Sequence, residues 1–390
     1  MSENNNAQYG VDQIDSLSGL QAVRKRPGMY IGSTSQAGVN HLIWEVLDNS
    51  VDEFVAGCGT EIELIINSDG CVKIVDHGRG IPVGPHSKWK NADGTPMNTL
   101  TGILTKLHAG GKFNQEGSGY KCSGGLHGIG TKCTNALSVE FIVTVKREGN
   151  IWQQKFSKGN PITDVVKIGT CDVNDTGTII EYLPDETIFK QTIKPSDSAI
   201  KARLDEITSL NAGLKIIYKN EIAKVEKTFF QKDGLKGYSK RMVSGKNALF
   251  NEPFYIKGQY KINDDKYVLV EVSFIYDDDD KPHETFKSFA NNINTPEGGY
   301  HLQGFRDSYK KILNDFIEKN NLHKDQVELR YLLDGIYCIV SIKIPEAEFE
   351  GQTKSKLGNE EAKHAVDFVM QQEFAKLSKS RFDDLRLIVD

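Results

Sequence analysis

Three short runs in this chain carry side chains whose types and spacing could act on a phosphate or a nucleobase. The first is Glu45-Val46-Leu47-Asp48-Asn49-Ser50-Val51-Asp52-Glu53. Residues four apart on a helix lie about 5–6 Å apart at Cβ, so Glu45 and Asn49 converge if this segment is helical. A carboxylate there can polarise an attacking water, and an amide oxygen is a hard neutral ligand for a phosphate-bound magnesium ion. Alone the pair is weak evidence, because acids and amides on an exposed helix face are ordinarily only solvated.

The second run, Asp76-His77-Gly78-Arg79-Gly80-Ile81-Pro82, sets an acid at a predicted strand end, followed by glycines that remove Cβ bulk. The backbone can then approach a flat ligand. A buried carboxylate can accept a hydrogen bond from an exocyclic amine such as that of adenine, worth roughly 1.5–3 kcal/mol. A tight turn after an edge strand would look the same. The third run, Ser123-Gly124-Gly125-Leu126-His127-Gly128-Ile129-Gly130, follows Gly110-Gly111-Lys112 and precedes the helix-like TKCTNALS. Free backbone N–H groups and a helix N-terminus can cradle phosphate, and Lys112 would add a point charge. The spacing is neither a Walker A loop nor a dinucleotide-binding fingerprint, and a glycine lid without ligand is the plain alternative.

The elements that must position these residues can be read from periodicity. A short helix is expected through Leu20 and Val23, a Pro-Gly turn at Pro27 and Gly28, and a long helix from about Val39. In the long helix Ile43, Val46, Leu47, Val51 and Phe54 recur at helical spacing, leaving Glu45, Asn49 and Asp52 on an adjoining face. The strand-like runs EIELIIN and CVKIVD are joined by an Asn67-Ser68-Asp69-Gly70 turn, which reads as a hairpin. A polar loop rich in Gly and Lys is expected from 84 to 130, interrupted by a helical piece around Leu100 to Leu107. Strands follow in VEFIVTVKRE, IWQQKFS and TGTIIEYLP, then a helix near Ala199 to Leu210 and a strand at Leu214 to Tyr218. A second unit is expected from Asp233, with strands in VLVEVSFIY and GIYCIVSIKIP, so the chain reads as mixed helix and strand in two domains. Asp277 to Asp280 reads as an acidic turn.

Composition narrows the classes. At 390 residues, 38% hydrophobic and 26% charged, the chain is long and apolar enough for two packed cores. The formal net charge of -5 leaves no global field for nucleic acid, so a DNA contact must come from a local patch. Residues 215 to 246 offer one, with nine Lys or Arg against three Asp or Glu; a solvated lysine-rich surface is the competing reading. The six cysteines show no zinc-ligand spacing and read as reduced thiols. No apolar run approaches the roughly 20 residues that span a bilayer, and cytoplasm is the expected compartment.

Taken in order, Glu45 to Asn49, DHGRGIP and SGGLHGIG resemble the ATP-binding fold shared by gyrase, heat-shock chaperone, histidine kinase and MutL proteins (the GHKL group). The flanks RKRPGMYIG, LHAGGKF, NNIN followed by GG at 291 to 299, and GQTKSKLGN at 351 to 359 look like the B subunits of type II topoisomerases, gyrase or topoisomerase IV. The resemblance covers nearly the whole chain. It implies an α+β architecture: an N-terminal dimerisation arm at 1–14, a GHKL α/β sandwich at 15–232, and a transducer at 233–390 resembling ribosomal protein S5.

By the same resemblance Glu45 would be the general base, Asn49 the Mg2+ ligand, and Asp76 the adenine reader, with Thr178 supporting that base through water. Arg79, Gly80, Ile81 and Pro82 would line the pocket, Gly124 to Gly130 would close over the triphosphate of ATP, and Lys112 would lie in the same lid. Gln352 and Lys354 would reach the γ-phosphate from the second domain. Tyr9 and Ile14 would cross to the partner chain in an ATP-induced homodimer that captures DNA for a breakage-reunion (A-type) subunit. His77, Tyr300 in place of a usual threonine, and the long polar segment 86 to 98 depart from the family pattern. The acidic metal-binding motifs of the TOPRIM region, which would cleave DNA, do not occur before Asp390, so that region is expected elsewhere in the same or another chain. A chaperone- or MutL-like ATPase, or a clamp that holds ATP without turnover, is the rival reading.

Overall fold

Alternation sets the first sheet. In Glu61–Ile66 every second residue, Ile62, Leu64 and Ile66, is buried, and Gly177–Pro184 alternates in the same way. The computed structural model describes residues 19–107, 109–110, 128–279, 281–351 and 354–390. Tyr9, Ile14, Lys112, Gly124, Gly125, Leu126, His127 and Gln352 lie outside the described residues. The nine strands described run across the sheet as Val225–Phe230, Lys215–Asn220, Glu61–Ile66, Val72–Asp76, Gly177–Pro184, Ser138–Arg147, Asn150–Ser157 and Asn160–Pro161, with Val166–Thr170 also paired to Asn150–Ser157. Neighbours are antiparallel except Glu61–Ile66 and Lys215–Asn220, which run parallel. The helices Gln36–Val55 and Asp197–Leu210 bury Val39, Leu42, Ile43, Ile200 and Leu204 in one cluster with Ile62, Leu64, Ile74 and Ile216 of the strands. A sheet with helices packed on a buried face is the α/β sandwich expected.

The second sheet has the order Phe254–Lys261, Tyr267–Tyr276, Ile336–Lys343, Glu284–Ala290, Ile293–Asn294. Glu284–Ala290 and Ile336–Lys343 are parallel, so the chain must cross over between them, and it does so through the helix Tyr300–Asn320. The continuous apolar run of Ile336–Lys343 is explained by burial on both sides. Cys338, Val340 and Ile342 join the large cluster with Phe305 and Tyr309, while Ile339 on the other face meets Leu235 and Tyr238 of the helix Gly234–Met242. Leu210, at the end of the helix on the first sheet, completes that smaller cluster, so Asp197–Leu210 is packed by both sheets.

Some local expectations are extended and others corrected. The turn expected at Pro27 and Gly28 is present, closed by Met29 N donating to Arg26 O at 3.1 Å, and it runs on into a single helical turn, Gly28–Ile31, with Pro27 at φ -59 and ψ -34. The segment 86 to 98 is not an open loop. It forms a hairpin of Pro85–Lys90 with Pro96–Asn98, turned by Asn91 and Asp93, with His86 stacked on Trp89 at 3.8 Å. Asp277 is no turn acid either, since its buried carboxylate lies 3.0 Å from Lys246 Nζ and 3.2 Å from His283 Nε2. Six of the nine basic residues between 215 and 246 form ion pairs: Lys215 with Glu61, Lys219 with Glu226, Lys236 and Lys240 with Glu252, Arg241 with Asp205, and Lys246 with Asp277. The local charge excess is thus largely answered within the chain.

The paired glycines before Tyr300 have a steric reason. Gly299 has φ 133, and a Cβ there would lie 2.4 Å from Leu357 O and 2.6 Å from Leu357 N. Bare backbone lets Gly298 O accept from Leu357 N and Tyr300 N donate to Leu357 O, which fastens the chain at Leu357 to the start of the Tyr300–Asn320 helix. Gly299→Ala is expected to cost about 1–3 kcal/mol from backbone strain, more if the segment detaches. Urea denaturation checks this; an unchanged midpoint would show that the two segments separate freely.

Candidate active site

The site is built on the twenty-residue helix Gln36–Val55, capped by Ser35, whose side chain accepts from Ala37 N. One face is buried in the first core, and the other presents Glu45, Asp48, Asn49 and Glu53. Glu45 is fixed from two sides. His41 Nε2 lies 3.0 Å from its Oε1, and a Cβ on Gly130 would fall 1.7 Å from its Oε2. Only glycine at 130 lets the carboxylate lie against the first turn of the helix Gly130–Ala136. Asn49 is oriented as the spacing argument requires. Its Nδ2 donates to Glu45 O and to Thr131 Oγ1, both at 2.7 Å, which turns the amide oxygen away from those acceptors.

Asp76 ends the strand Val72–Asp76 and faces Ile62 and Thr178 across its two neighbouring strands. Its carboxylate accepts from Gly78 N at 3.0 Å, Thr178 N at 3.1 Å and Ser50 Oγ at 3.1 Å. Burial pushes the carboxyl up from its ordinary range against these three donors, with a small push from Glu53. His77 is exposed, and alternation turns it to the other side of the sheet, toward Glu61 and Glu63. One ligand atom from each of these three residues lies within 4.8 Å of the others, but Glu61 is already paired to Lys215 at 2.6 Å.

Arg79 is held by Glu53, with Nε and the main-chain N donating to Oε2 and NH2 to Oε1, each at 2.9 Å. Arg147 NH1 in turn donates to Gly80 O at 2.8 Å, while Ile81 packs against the first core and Pro82 is exposed. The loop is thus braced from the helix at one end and from the strand Ser138–Arg147 at the other. Gly128 and Ala109 are joined by Lys132, a buried lysine whose Nζ donates to both carbonyls. Ile129 precedes the helix Gly130–Ala136, so that helix begins where the sequence placed it.

Asp48 lies between Glu45 and Asp52, and burial and these two carboxylates push its carboxyl up, while the guanidinium of Arg203 and the ammonium of Lys354 pull it down. The charge of Lys354 is thus felt at Asp48 on the helix that carries Glu45. Sequence reasoning missed His41, Ser50, Thr131 and Arg203. Thr131 was within the quoted TKCTNALS run, but nothing in the spacing says that it meets Asn49.

An acid-bearing helix packed on an antiparallel sheet, with a buried aspartate at a strand end and a glycine-rich return to a helix, defines the histidine kinase-, DNA gyrase B-, and HSP90-like ATPases, and that family matches residues 34–185. A second family, DNA gyrase B, matches residues 234–390. The chain is 41% identical over 387 residues to the DNA gyrase B protein of Halalkalibacterium halodurans, covering 98% of this chain and 58% of that protein. With the DNA gyrase B protein of Enterococcus faecalis the identity is 40%, over 95% of this chain and 56% of that one. Among solved structures, the 43K ATPase domain of Thermus thermophilus gyrase B, in complex with an aminocoumarin, superposes with a TM-score of 0.78 at 33% identity, covering 95% of this chain and 92% of that one. The topoisomerase IV ATP binding domain of Francisella tularensis, in complex with a small-molecule inhibitor, gives 0.77 at 31%, covering 96% of each. The chain belongs to the DNA gyrase B family, and it spans a little over half the length of the curated relatives it matches.

The raised Asp76 carboxyl has a measurable sign. Because the folded state holds this proton longer than the unfolded chain does, the contribution of Asp76 to stability is greatest near or below about pH 4 and declines as pH rises through the raised value. Asp76→Asn should accordingly cost more stability at pH 5 than at pH 8, read from urea midpoints of both proteins. The opposite trend would mean that the three donors outweigh burial.

Proposed function

We propose that this chain binds ATP with Mg2+ and hydrolyses it, as the ATPase and transducer part of a type II DNA topoisomerase. The observation that carries this reading is the placement of Glu45 against Gly130 with Asn49 one turn further on and tied to Thr131, which puts a base and a hard oxygen ligand at the start of the same short helix. The residues fit a magnesium ion: Asn49 spends its N–H groups on protein acceptors, so its amide oxygen is the atom a hard cation would take. When bound, the ion would neutralise charge on the phosphates. Glu45 orients and deprotonates the attacking water; His41 and the first turn of Gly130–Ala136 restrict where its carboxylate can go. Asp76 accepts a hydrogen bond from the adenine amine, and Thr178 supports that base from the facing strand.

Arg79, Gly80, Ile81 and Pro82 line the adenine side, and Gly124 to Gly130 with Lys112 cover the triphosphate. Gln352 and Lys354 carry charge and hydrogen bonds to the γ-phosphate as it departs. We divide the chain at Asp233, with residues 1–14 as an arm through which Tyr9 and Ile14 contact the partner of an ATP-induced dimer. That dimer captures a DNA segment, while strand cleavage falls to an A-type breakage-reunion subunit and a TOPRIM region in the same or another chain. The compartment is the cytoplasm; among the described residues no helix is long and apolar enough to cross a membrane. The DNA gyrase B match over 234–390 favours this reading over a chaperone- or MutL-like ATPase.

ATP turnover of the 390-residue chain with Mg2+, measured across protein concentrations, tests the proposal. Turnover per chain is expected to rise with concentration; tight nucleotide binding without turnover would favour the clamp. Glu45→Ala should retain nucleotide binding and lose on the order of 10²- to 10⁴-fold in turnover. Lys354→Ala should lower kcat more than it weakens binding, because its contact strengthens as charge develops; equal losses in both would count against that role.

A further inference from the structure

The NNIN motif at 291 to 294 and the helix Asp197–Leu210 are the parts of the sequence pattern that the ATPase reading leaves without a task. They meet at Arg203. This guanidinium is largely buried at the junction, and its NH2 reaches Asp48 Oδ1 at 3.1 Å and the main-chain oxygen of Asn292 at 3.2 Å. Its NH1 reaches Glu206 Oε2 at 3.0 Å. Glu206 passes the contact on, with Oε1 3.4 Å from Lys287 Nζ of the strand Glu284–Ala290 and 3.5 Å from the hydroxyl of Tyr238.

The Asn292 end of the contact is rigid. Asn291 and Asn292 occupy left-handed backbone at φ 49 and 67, where asparagine is tolerated better than most residues. The Asn291 side chain pairs with both main-chain groups of Ile344, at 2.8 and 2.9 Å, and Asn211 Nδ2 donates to Asn292 Oδ1 at 3.2 Å. Lys343 Nζ donates to Asn211 Oδ1 at 3.2 Å. The turn that presents the Asn292 carbonyl is thereby locked to the second sheet. At the other end, Asp48 is one residue before Asn49 and three after Glu45 on the same helix.

We propose that Arg203 is a positioning residue that holds the Glu45 helix in register with the second domain, by a route separate from Gln352 and Lys354. The planar fork holds Asp48 and the Asn292 carbonyl from one terminal nitrogen and Glu206 from the other, whereas a lysine presents a single, shorter-reaching ammonium to all three. A shift of the Glu45 helix on nucleotide binding is then felt directly at the 291–294 turn, and the position of that turn biases where Glu45 and Asn49 stand. The inference rests on the ATPase reading above.

Hydrogen exchange of the 390-residue chain, with and without Mg2+ and a non-hydrolysable ATP analogue, reads both ends. In the native protein, added nucleotide should slow exchange at residues 72–80 and also at 288–295. Arg203→Lys, which keeps a cation between Asp48 and Glu206 and so preserves folding, should retain the first response and lose the second. Its kcat for ATP should fall by about 2- to 30-fold, the span of a coupling residue, with analogue affinity nearly unchanged. Asp48→Asn, which leaves Arg203 and Glu206 in place, should lose the same distal response. A native-like response at 288–295 in Arg203→Lys, or a loss of binding as large as the loss of turnover, would overturn the proposal. A native protein that responds at 72–80 but not at 288–295 would overturn it alone; one that responds at neither would remove the ATPase reading and this inference together.

Discussion

The constraint on which the rest depends is the burial of an acid, Asp48, on the helix that also carries Glu45 and Asn49. Burial pushes the Asp48 carboxyl up, and Glu45, three residues before it, and Asp52, four after it, push it further. Like charges at this spacing on an exposed helix cost only about 0.2–0.5 kcal/mol each, so burial is what makes the cost large. Cations and donors from other turns and other segments offset that cost. His41 comes from the previous turn and Arg203 from the helix Asp197–Leu210, and the charge of Lys354 acts on Asp48 as well. Through Arg203 the buried acid ties this helix to the helix Asp197–Leu210 and to the turn at Asn292.

Asp76 meets a related demand in a different way. It is answered by neutral donors, two main-chain N–H groups and the Ser50 hydroxyl, rather than by a cation. A carboxyl held by neutral groups in a buried place keeps the capacity to accept from a ligand, whereas a bidentate arginine would occupy it. Glu53, on the same helix, shows the alternative: its two oxygens are taken by Arg79, and it serves as a brace for the loop.

The junction between the sheets is mostly polar. Among the described residues Leu210, Leu235, Tyr238, Phe289 and Ile339 form a small apolar contact there, beside the pairs Arg241 with Asp205 and Lys287 with Glu206. Interfaces of this kind between domains permit relative motion more readily than a large apolar one does. A junction that is small, polar and anchored on the acid-bearing helix is suited to reporting what happens on that helix.

The sequence by itself determined the elements and the chemistry within each of them. Helical spacing brought Glu45 and Asn49 together, strand alternation buried Ile62 and Leu64 and ended one strand on Asp76, and glycines marked where backbone must come close. These are effects of local geometry, fixed by periods of 3.6 and 2 residues. The hairpin at 85 to 98 is not legible because its short strands are polar and carry little alternation. Tertiary structure alone decided the pairings between distant segments: Thr131 on Asn49, Ser50 on Asp76, Arg203 between Asp48 and Asn292, and the lysines of 215 to 246 on acids as remote as Glu61. Charge and hydrogen-bonding capacity can be read from a residue type, but the partner that satisfies them is chosen by packing, and no local pattern encodes a contact across 89 residues such as Arg203 to Asn292.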